Sequence, residues 1–295
     1  MLEHLNSAPA DPGRVVVLGG TGFVGRHAVS ALKRRGIDVF SLGTKDVDLL
    51  ADGAAVRLGE MLRDRDVLVV VSAIAPCKTA GDLARNVTMM ANVCAALEDR
   101  SVAHVIYVSS DAVYEDEANP IDERTPMAPA SLHGHMHAVR EGMLRAIVRG
   151  PLAILRPSLL YGADDPHNGY GPNRFRRLAA EGKPIVLFGD GEERRDHVLI
   201  EDVGEIVALT VVHRSQGTLN VATGKVISFR EIAEAVAEHS DRAVDIRTTL
   251  RQGPMPHGGF RAFDVADRLK AFPVFRFVDP KEGIAMLQQR MKETR

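Results

Sequence analysis

Tryptophan is absent from the 295-residue chain, and cysteine occurs only twice. Two cysteines cannot supply the disulfide framework of a small secreted domain, and both Cys77 and Cys94 lie among apolar residues. We therefore predict that they are buried, reduced thiols. Apolar runs of about 20 residues, the length that crosses a bilayer, are also missing, which argues against a membrane protein.

The charge balance gives no sign of a nucleic-acid or membrane partner. The chain carries 37 basic and 39 acidic residues, a formal net charge of -2, so neither sign dominates. Residues 1–13 are rich in Ala, Pro and Asp and have neither the basic start nor the apolar stretch of a signal peptide. We expect a flexible tail there, a cytoplasmic protein, and a small molecule as its substrate.

Short apolar runs alternate with longer segments of helical periodicity in the first half of the chain. The candidate strands are Val15–Leu18, Val39–Leu42, Val67–Val71, His104–Val108 and Ala153–Leu155. The candidate helices are Val24–Arg35, Ala54–Arg63, Asp82–Leu97 and Ser131–Arg149. The strands are continuous in Val, Ile and Leu, as strands covered on both faces are. The pattern predicts an α/β fold, a Rossmann-type doubly wound parallel sheet.

The character of the chain changes after Arg156-Pro157. Residues 162–173 are rich in Gly, Pro, Asp and Asn and predict a long functional loop. Helices are predicted at Arg174–Glu181 and Phe229–His239, and strands near Ile185–Phe188 and Val198–Ile200. We predict a dinucleotide-binding domain over residues 14–157 plus about 198–222. A smaller, discontinuous substrate domain is predicted over about 158–197 plus 223–295.

A glycine-rich turn joins the first predicted Rossmann strand to the first helix. Its spacing is Gly19-x-x-Gly22-x-x-Gly25. Glycines permit the tight turn and let the backbone approach a pyrophosphate, whose charge then sits at the helix N-terminus. The predicted cofactor contacts of this turn are Gly19, Thr21, Gly22, Phe23, Val24 and Gly25.

The end of the second strand bears on the choice of dinucleotide. Sites for NAD usually place Asp or Glu there, on the ribose 2′-hydroxyl, whereas this strand is followed by Gly43, Thr44 and Lys45. With no carboxylate in those three positions and a lysine available to a 2′-phosphate, we predict contacts from all three and favour NADP over NAD. A solvated loop lysine is the alternative.

Several further motifs follow in order along the chain. They are Asn86, Val108-Ser109-Ser110-Asp111-Ala112-Val113-Tyr114, Leu155-Arg156-Pro157 leading to Tyr161-Gly162, and Gly189-Asp190-Gly191 followed by Arg195, Asp196 and Asp202. Together with residues 19–25 they resemble the extended short-chain dehydrogenase/reductases, the NAD(P)-dependent epimerase/dehydratase family that acts on nucleotide-linked sugars. The resemblance covers nearly the whole chain.

The resemblance implies roles for particular residues. Ser110 takes the position of the catalytic Ser or Thr. Residues implied at the cofactor are Ser72, Ala73 and Pro157, and residues implied at the substrate are Arg195, whose guanidinium suits a diphosphate, and Tyr161.

The family's Tyr-x-x-x-Lys pair is replaced by two histidines. Alignment on Ser131, Gly134 and Glu141 puts His133 at the tyrosine position and His137 at the lysine position. In the family, the tyrosine transfers a proton while hydride moves to or from the nicotinamide. The lysine binds the nicotinamide ribose and lowers the tyrosine pKa.

Three interpretations of this replacement stay open. In the first, His133 is the acid/base, because imidazole titrates near neutral pH, and His137 hydrogen-bonds the ribose. The two are four apart and share a helix face, while His135 faces solvent. The face borders an apolar stripe of Met136, Val139, Met143 and Ile147. In the second, the chain is a non-catalytic NADP-binding regulatory or partner subunit. In the third, Tyr114 or Asp111 supplies the proton.

The resemblance also narrows the range of reactions that we expect. Asp111 follows Ser110 as it does in dehydratases and 4-keto-sugar reductases, but the dehydratase base is replaced by Ala112. A 4-keto-sugar reductase is therefore favoured over a 4-epimerase, and a dehydratase least. Leu159 stands where many members have a phosphate-binding Asn, so we expect either a sugar nucleotide that is held differently or another kind of substrate.

Two further expectations concern metals and assembly. Only two of His133, His135 and His137 share a face, and no Cys or Glu completes a set of ligands, so we expect no metal. A homodimer through the helices at Asp82–Leu97 and Ser131–Arg149 is a family expectation.

Overall fold

The computed structural model describes residues 1–293. Its strands are β1 (Leu2–His4), β2 (Arg14–Leu18), β3 (Asp38–Leu42), β4 (Val67–Val70), β5 (His104–Val108), β6 (Leu152–Pro157), β7 (Leu159–Tyr161), β8 (Ile185–Phe188), β9 (Arg194–Leu199), β10 (Ser215–Val221), β11 (Val226–Ser228), β12 (Ile246–Thr249) and β13 (Phe260–Arg261). Its helices are α1 (Phe23–Arg34), α2 (Ala54–Met61), α3 (Ala80–Asp99), α4 (Leu132–Ile147), α5 (Pro172–Ala180), α6 (Ile200–Val212), α7 (Phe229–Glu238), α8 (Ala266–Ala271) and α9 (Pro280–Glu293).

A seven-stranded sheet with strand order β1-β10-β6-β5-β4-β2-β3 forms the centre of the protein. Every neighbouring pair is parallel except β1 with β10. One face packs on α1 and α6, and the other on α2, α3 and α4. The predicted Rossmann-type doubly wound sheet is confirmed, and its strands are apolar throughout because both faces are covered.

Helix α6 was not among the predicted helices. Ten of its thirteen residues are buried, so it lacks the polar face that gives a surface helix its recognisable period. The strand predicted at Val198–Ile200 is the end of β9, and Ile200 is already the first residue of α6.

Smaller sheets lie in the C-terminal half. β11, β9 and β13 form one of them with β7 paired to β9, and β12 pairs with β8. They share an apolar core with α5, α7 and α9. β10 and α6 return to the large sheet and its covering layer. The domain boundaries given above stay a prediction.

Residues 1–13, which were predicted to form a flexible tail, contain the short strand β1. Leu2–His4 pair antiparallel with Ser215–Gly217 at the edge of the central sheet. The His4 ring anchors the strand, with Nδ1 2.7 Å from Ser215 Oγ and Nε2 2.8 Å from the Ala271 carbonyl oxygen. The composition of the segment gave no sign of these long-range partners.

Two predictions, one from the two cysteines and one from the lack of long apolar runs, can be compared with the fold. Cys77 and Cys94 are both buried and free, as predicted. Among residues 1–293, no helix combines the length and apolar character needed to cross a membrane.

Candidate active site

The glycine-rich turn is built for close approach. α1 begins at Phe23 with Gly22 at its N-cap and neither a capping side chain nor an acidic residue in its first turn. A Cβ on Gly25 would lie 2.1 Å from the Gly19 carbonyl oxygen, so only glycine lets helix and strand approach this closely. The uncapped N–H groups and the positive end of the helix dipole suit a phosphate, which fits a dinucleotide.

The end of β4 packs directly on the glycine turn. A Cβ on Gly19 would lie 2.7 Å from the Ser72 backbone, and Ser72 Oγ is buried without a hydrogen-bond partner among the described residues. Such an orphaned hydroxyl beside the turn fits a bound polar group. Asn86 holds the neighbouring segment through hydrogen bonds to the N–H and the carbonyl of Ile74. Ala73 is half-buried in the same segment.

The loop after β3 contains a carboxylate that the sequence analysis did not place there. Asp46 Oδ2 accepts a 2.8 Å hydrogen bond from the Gly43 N–H, so the side chain folds back on the strand end. Thr44 and Lys45 are exposed. Arg57 of α2 donates from Nε to the Asp46 carbonyl oxygen at 2.6 Å. These residues line an open cavity of ≈ 250 Å³ that carries charges of both signs.

The predicted catalytic turn follows β5. Ser110 caps a single 3₁₀ turn over Asp111–Val113, and its Oγ accepts the Ala112 N–H at 3.2 Å. Asp111 is paired with Arg261, whose Nε lies 2.9 Å from Asp111 Oδ2. Because Arg261 also donates to the Asp111 carbonyl oxygen at 2.8 Å, the C-terminal half fixes the conformation of this turn. Asp111 is therefore engaged as an ion-pair partner.

The start of α4 lies against that turn. Ser131 caps the helix by accepting the Gly134 N–H at 3.1 Å. A Cβ on Gly134 would lie 2.0 Å from the Ala112 carbonyl oxygen, which shows how closely helix and turn approach. His133, the preceding residue, is thereby brought to the turn and within electrostatic reach of Asp111. Burial lowers the pKa of His133, and the Asp111 carboxylate opposes that shift.

The two histidines lie in contact, as their spacing predicted. Their ring centroids are 4.8 Å apart, edge to face. His137 Nδ1 is 2.7 Å from the Tyr107 hydroxyl, and burial, His133 and Arg140 hold its pKa well below the ordinary value. Both imidazoles are therefore neutral near pH 7. His135 is exposed, as predicted.

The apolar stripe predicted beside the histidines is only partly correct. Met136 is buried, but Val139 is 44% exposed. Arg140, by contrast, is fully buried, with its guanidinium 5.2 Å from the centroid of the Tyr107 ring and Nη2 2.6 Å from the Ser72 carbonyl oxygen. A buried cation in this place was not foreseen, because a lone Arg is normally exposed.

Tyr114 is a structural residue. Its hydroxyl donates to Asn220 Oδ1 at 2.7 Å and accepts from Arg156 at 2.8 Å, and burial raises its pKa to about 12. Glu141 completes this network through a bidentate ion pair with Arg156 (2.6 Å and 2.9 Å) and a hydrogen bond from Ser109 at 2.7 Å. The Tyr114 phenol is thus held by two partners in the core, and the third interpretation stays a prediction.

Of the two residues predicted to bind the substrate, Tyr161 is buried and Arg195 is paired with an acidic residue. Tyr161 is fully buried in the core of the C-terminal half, and its hydroxyl points at Gly283 without a hydrogen-bond partner among residues 1–293. The side chain is not exposed to a substrate in this structure, and its role at the substrate stays a prediction. Arg195 is 15% exposed and paired with Glu193 at 2.8 Å, and Glu193 is also paired with Arg251 at 3.3 Å. These two arginines around one carboxylate leave a net positive charge for an anionic group.

Two remaining predictions concern Pro157 and metals. Pro157 ends β6 as a buried residue paired with Val221. Over residues 1–293, no three His, Cys, Asp or Glu side chains converge as a metal site requires.

Three features define a dinucleotide-binding protein. They are the Rossmann sheet, the uncapped helix behind three glycines, and the polar turn at the end of β5. Residues 15–222 match the NAD dependent epimerase/dehydratase family, and the chain belongs to that family. The family predicted from the motifs is thus confirmed.

Similar proteins span nearly the whole chain. A Methanocaldococcus jannaschii protein, provisionally named UDP-glucose 4-epimerase, is 26% identical over 306 positions, covering 94% of this chain and 98% of its own length. The UDP-glucose 4-epimerase of Thermus thermophilus, solved with NAD, has a TM-score of 0.81 at 24% identity, covering 95% of this chain and 99% of its own. The Thermotoga maritima UDP-glucose 4-epimerase, solved with UDP-glucose, has a TM-score of 0.82 at 19% identity, with the same coverage.

Proposed function

We propose that this protein binds a nicotinamide dinucleotide and uses it to interconvert nucleotide sugars. The observation that carries the proposal is the close approach of Gly134 to the Ala112 carbonyl oxygen, which packs the start of α4, with His133, against the turn that contains Ser110 and Asp111. The bound dinucleotide would accept and return hydride. The predicted contacts of residues 19–25, together with Ser72, would hold it. A serine hydroxyl and an imidazole on these two packed elements suit the reacting oxygen of a sugar.

The neutral state of both imidazoles shapes the roles we propose. Cys77 N–H points at His133 Nδ1 over 3.4 Å, a long hydrogen bond that favours the proton on Nε2. In that form His133 donates a hydrogen bond to the sugar oxygen together with Ser110. When hydride leaves the sugar carbon for the dinucleotide, the hydroxyl proton needs a bare nitrogen, so His133 would take it on Nε2 from the other tautomer, with its own proton on Nδ1, and would give it back when hydride returns. No cation replaces the lysine at residue 137 to assist this transfer.

The names of the similar proteins support 4-epimerisation as the reaction. The sequence motifs favour reduction of a 4-keto sugar, and the Ser110-Asp111 dipeptide is the observation behind this second candidate. The two reactions differ in stoichiometry, since an epimerase regenerates its dinucleotide and a reductase consumes one NAD(P)H per turnover. Arg195 and Arg251 are proposed to meet the substrate diphosphate. The family dimer and the cytoplasmic location stay predictions.

The test begins with separate titrations of NADH and NADPH by fluorescence and calorimetry. UDP-sugars and 4-keto sugars are then supplied with the dinucleotide that binds, and products are resolved by NMR. We expect His133→Phe to abolish turnover while dinucleotide affinity is retained, and His135→Phe, an exposed position on the same helix, to leave turnover unchanged. Binding without any turnover would support a regulatory subunit, and failure of both dinucleotides to bind would overturn the proposal.

A further inference from the structure

Tyr107 lies behind the histidine pair and was not identified from the sequence. It belongs to β5, its side chain is 1% exposed, and its hydroxyl is 2.7 Å from His137 Nδ1. Among residues 1–293 the structure gives neither side chain another hydrogen bond. A buried phenol has one hydrogen to place, so the partner of that hydrogen decides the state of the imidazole.

Two charged groups act on the Tyr107 phenol: the Glu141 carboxylate, which is occupied by Ser109 and Arg156, and the Arg140 guanidinium, which is a donor. The guanidinium of Arg140 lies 5.2 Å from the centroid of the Tyr107 ring and donates through Nη2 to the Ser72 carbonyl oxygen at 2.6 Å. A guanidinium has no acceptor to offer. If His137 carried its proton on Nδ1, the phenolic hydrogen would be buried without an acceptor, which is unfavourable.

We propose that Tyr107 is a positioning residue whose hydroxyl donates to His137 Nδ1 and holds the imidazole in the tautomer with its proton on Nε2. The inference rests on the proposed dinucleotide site. It gives His137 a fixed N–H donor on the side of the ring away from β5, where the family has a lysine ammonium group. A hydroxyl of the nicotinamide ribose is the class of acceptor that this N–H would take.

The surroundings of His137 make tautomer choice the relevant question. Burial, His133 and Arg140 all lower the pKa of His137, so the ring is neutral near pH 7 and has one proton to place. Tautomers of a free imidazole interconvert readily, and a neutral ring that presented a bare Nε2 could accept a hydrogen bond from a ribose hydroxyl but could not donate one. One phenolic hydrogen bond removes that form.

The direct test is the tautomer of His137 by long-range ¹H–¹⁵N NMR, with His137→Gln used to assign its signals. We expect protonated Nε2 and bare Nδ1 in the wild type at pH 7.5. Tyr107→Phe keeps the ring beneath Arg140 and removes only the hydroxyl, and it should give nitrogen shifts averaged between the two tautomers. His135, exposed on the same helix, is the internal control and should not change.

A second readout links the tautomer to binding. Tyr107→Phe should weaken the tighter-binding dinucleotide about 2- to 10-fold, the share of one hydrogen bond. In a His137→Gln background the same substitution should have no effect. An unchanged tautomer in Tyr107→Phe, or a protonated Nδ1 in the wild type, would overturn the inference. Because the tautomer is measured without dinucleotide, a failure of the proposed function shows separately, as loss of all binding by the wild type.

Discussion

Opposite charges meet at the end of β3, where Lys45 and Asp46 are adjacent. The sequence showed the lysine and the lack of a carboxylate at residues 43–45, but not the return of Asp46 onto the Gly43 N–H. A side-chain contact of this kind depends on the dihedral angles of a short turn, which neighbouring residues do not fix. Lys45 and Asp46 are both exposed; the Lys45 ammonium would attract a 2′-phosphate, and the Asp46 carboxylate beside it would oppose that charge.

Lys45→Ala is predicted to discriminate between the two dinucleotides. We expect NADPH affinity to fall about 2- to 5-fold, the effect of one solvent-screened charge pair, and NADH affinity to stay unchanged. The measurement is fluorescence titration at low and high salt, with the difference shrinking at high salt. Lys33→Ala, an exposed lysine in the last turn of α1, is the control. Equal losses for both dinucleotides would contradict a 2′-phosphate role.

The tyrosines show how far single residues could be predicted. The motif placed Tyr114 and Tyr161 near the site, yet both are in the core. Tyr114 is held by Arg156 and Asn220, which are 42 and 106 positions away in the chain. His133 and His137 were placed correctly relative to each other because helical spacing is local. Partners at long sequence distance decide whether a polar group faces a cleft or the core.

At the scale of elements, α4 is the part that assembles the site. Its first turn packs on the 3₁₀ turn after β5, and its middle carries Arg140 over the Tyr107 ring and Glu141 against Arg156. The helix itself was predicted to within two residues at each end. Its contact with the 3₁₀ turn was not, because nothing in the sequence shows that Gly134 must lack a Cβ.

Two glycines of α4 provide a matched pair of substitutions. Gly134→Ala should lower the free energy of unfolding by about 1–3 kcal/mol, because its Cβ meets the Ala112 carbonyl oxygen, and should also reduce turnover by shifting His133 from Ser110. Gly142→Ala has open space around it and should raise the free energy of unfolding by about 0.5–1 kcal/mol. Urea unfolding and the sugar assay measure both. Equal behaviour of the two variants would show that the contact does not position the helix.

At the scale of the whole molecule, burial keeps several histidines neutral: His104 and His197 are buried, and His257 is partly buried. Burial lowers the pKa of His104 to about 4, that of His197 to about 3 and that of His257 to about 4. The unfolded chain titrates each near its ordinary value of about 6.5 and therefore takes up protons first as the pH falls. The contribution of these histidines to the free energy of unfolding is thus fully present above pH 6.5 and is lost as the pH falls towards 4. Asp202 has the opposite effect on the pH dependence of stability. Burial raises its pKa to about 6, so the folded chain takes up this proton before the unfolded chain does as the pH falls.

His104→Gln isolates one of these contributions. The His104 ring donates from Nε2 to the Ser215 carbonyl oxygen at 2.7 Å, and a glutamine amide keeps that donor without titrating. Between pH 7 and pH 4.5 the variant should lose about 2–3 kcal/mol less free energy of unfolding than the wild type, measured by urea unfolding at each pH. His135→Gln is the exposed control and should follow the wild type. Parallel losses in wild type and His104→Gln would mean that His104 is accessible to protons in the folded state.

The three residues of β1 have a consequence for self-association. β10 is the last parallel strand of the central sheet, and without Leu2–His4 its Ser215–Gly217 segment would present unpaired backbone groups to solvent. An uncovered strand edge is a template on which a second chain can add a strand, the first step of aggregation. The contacts of His4 with Ser215 and Ala271 hold β1 on this edge and thus oppose aggregation by strand addition.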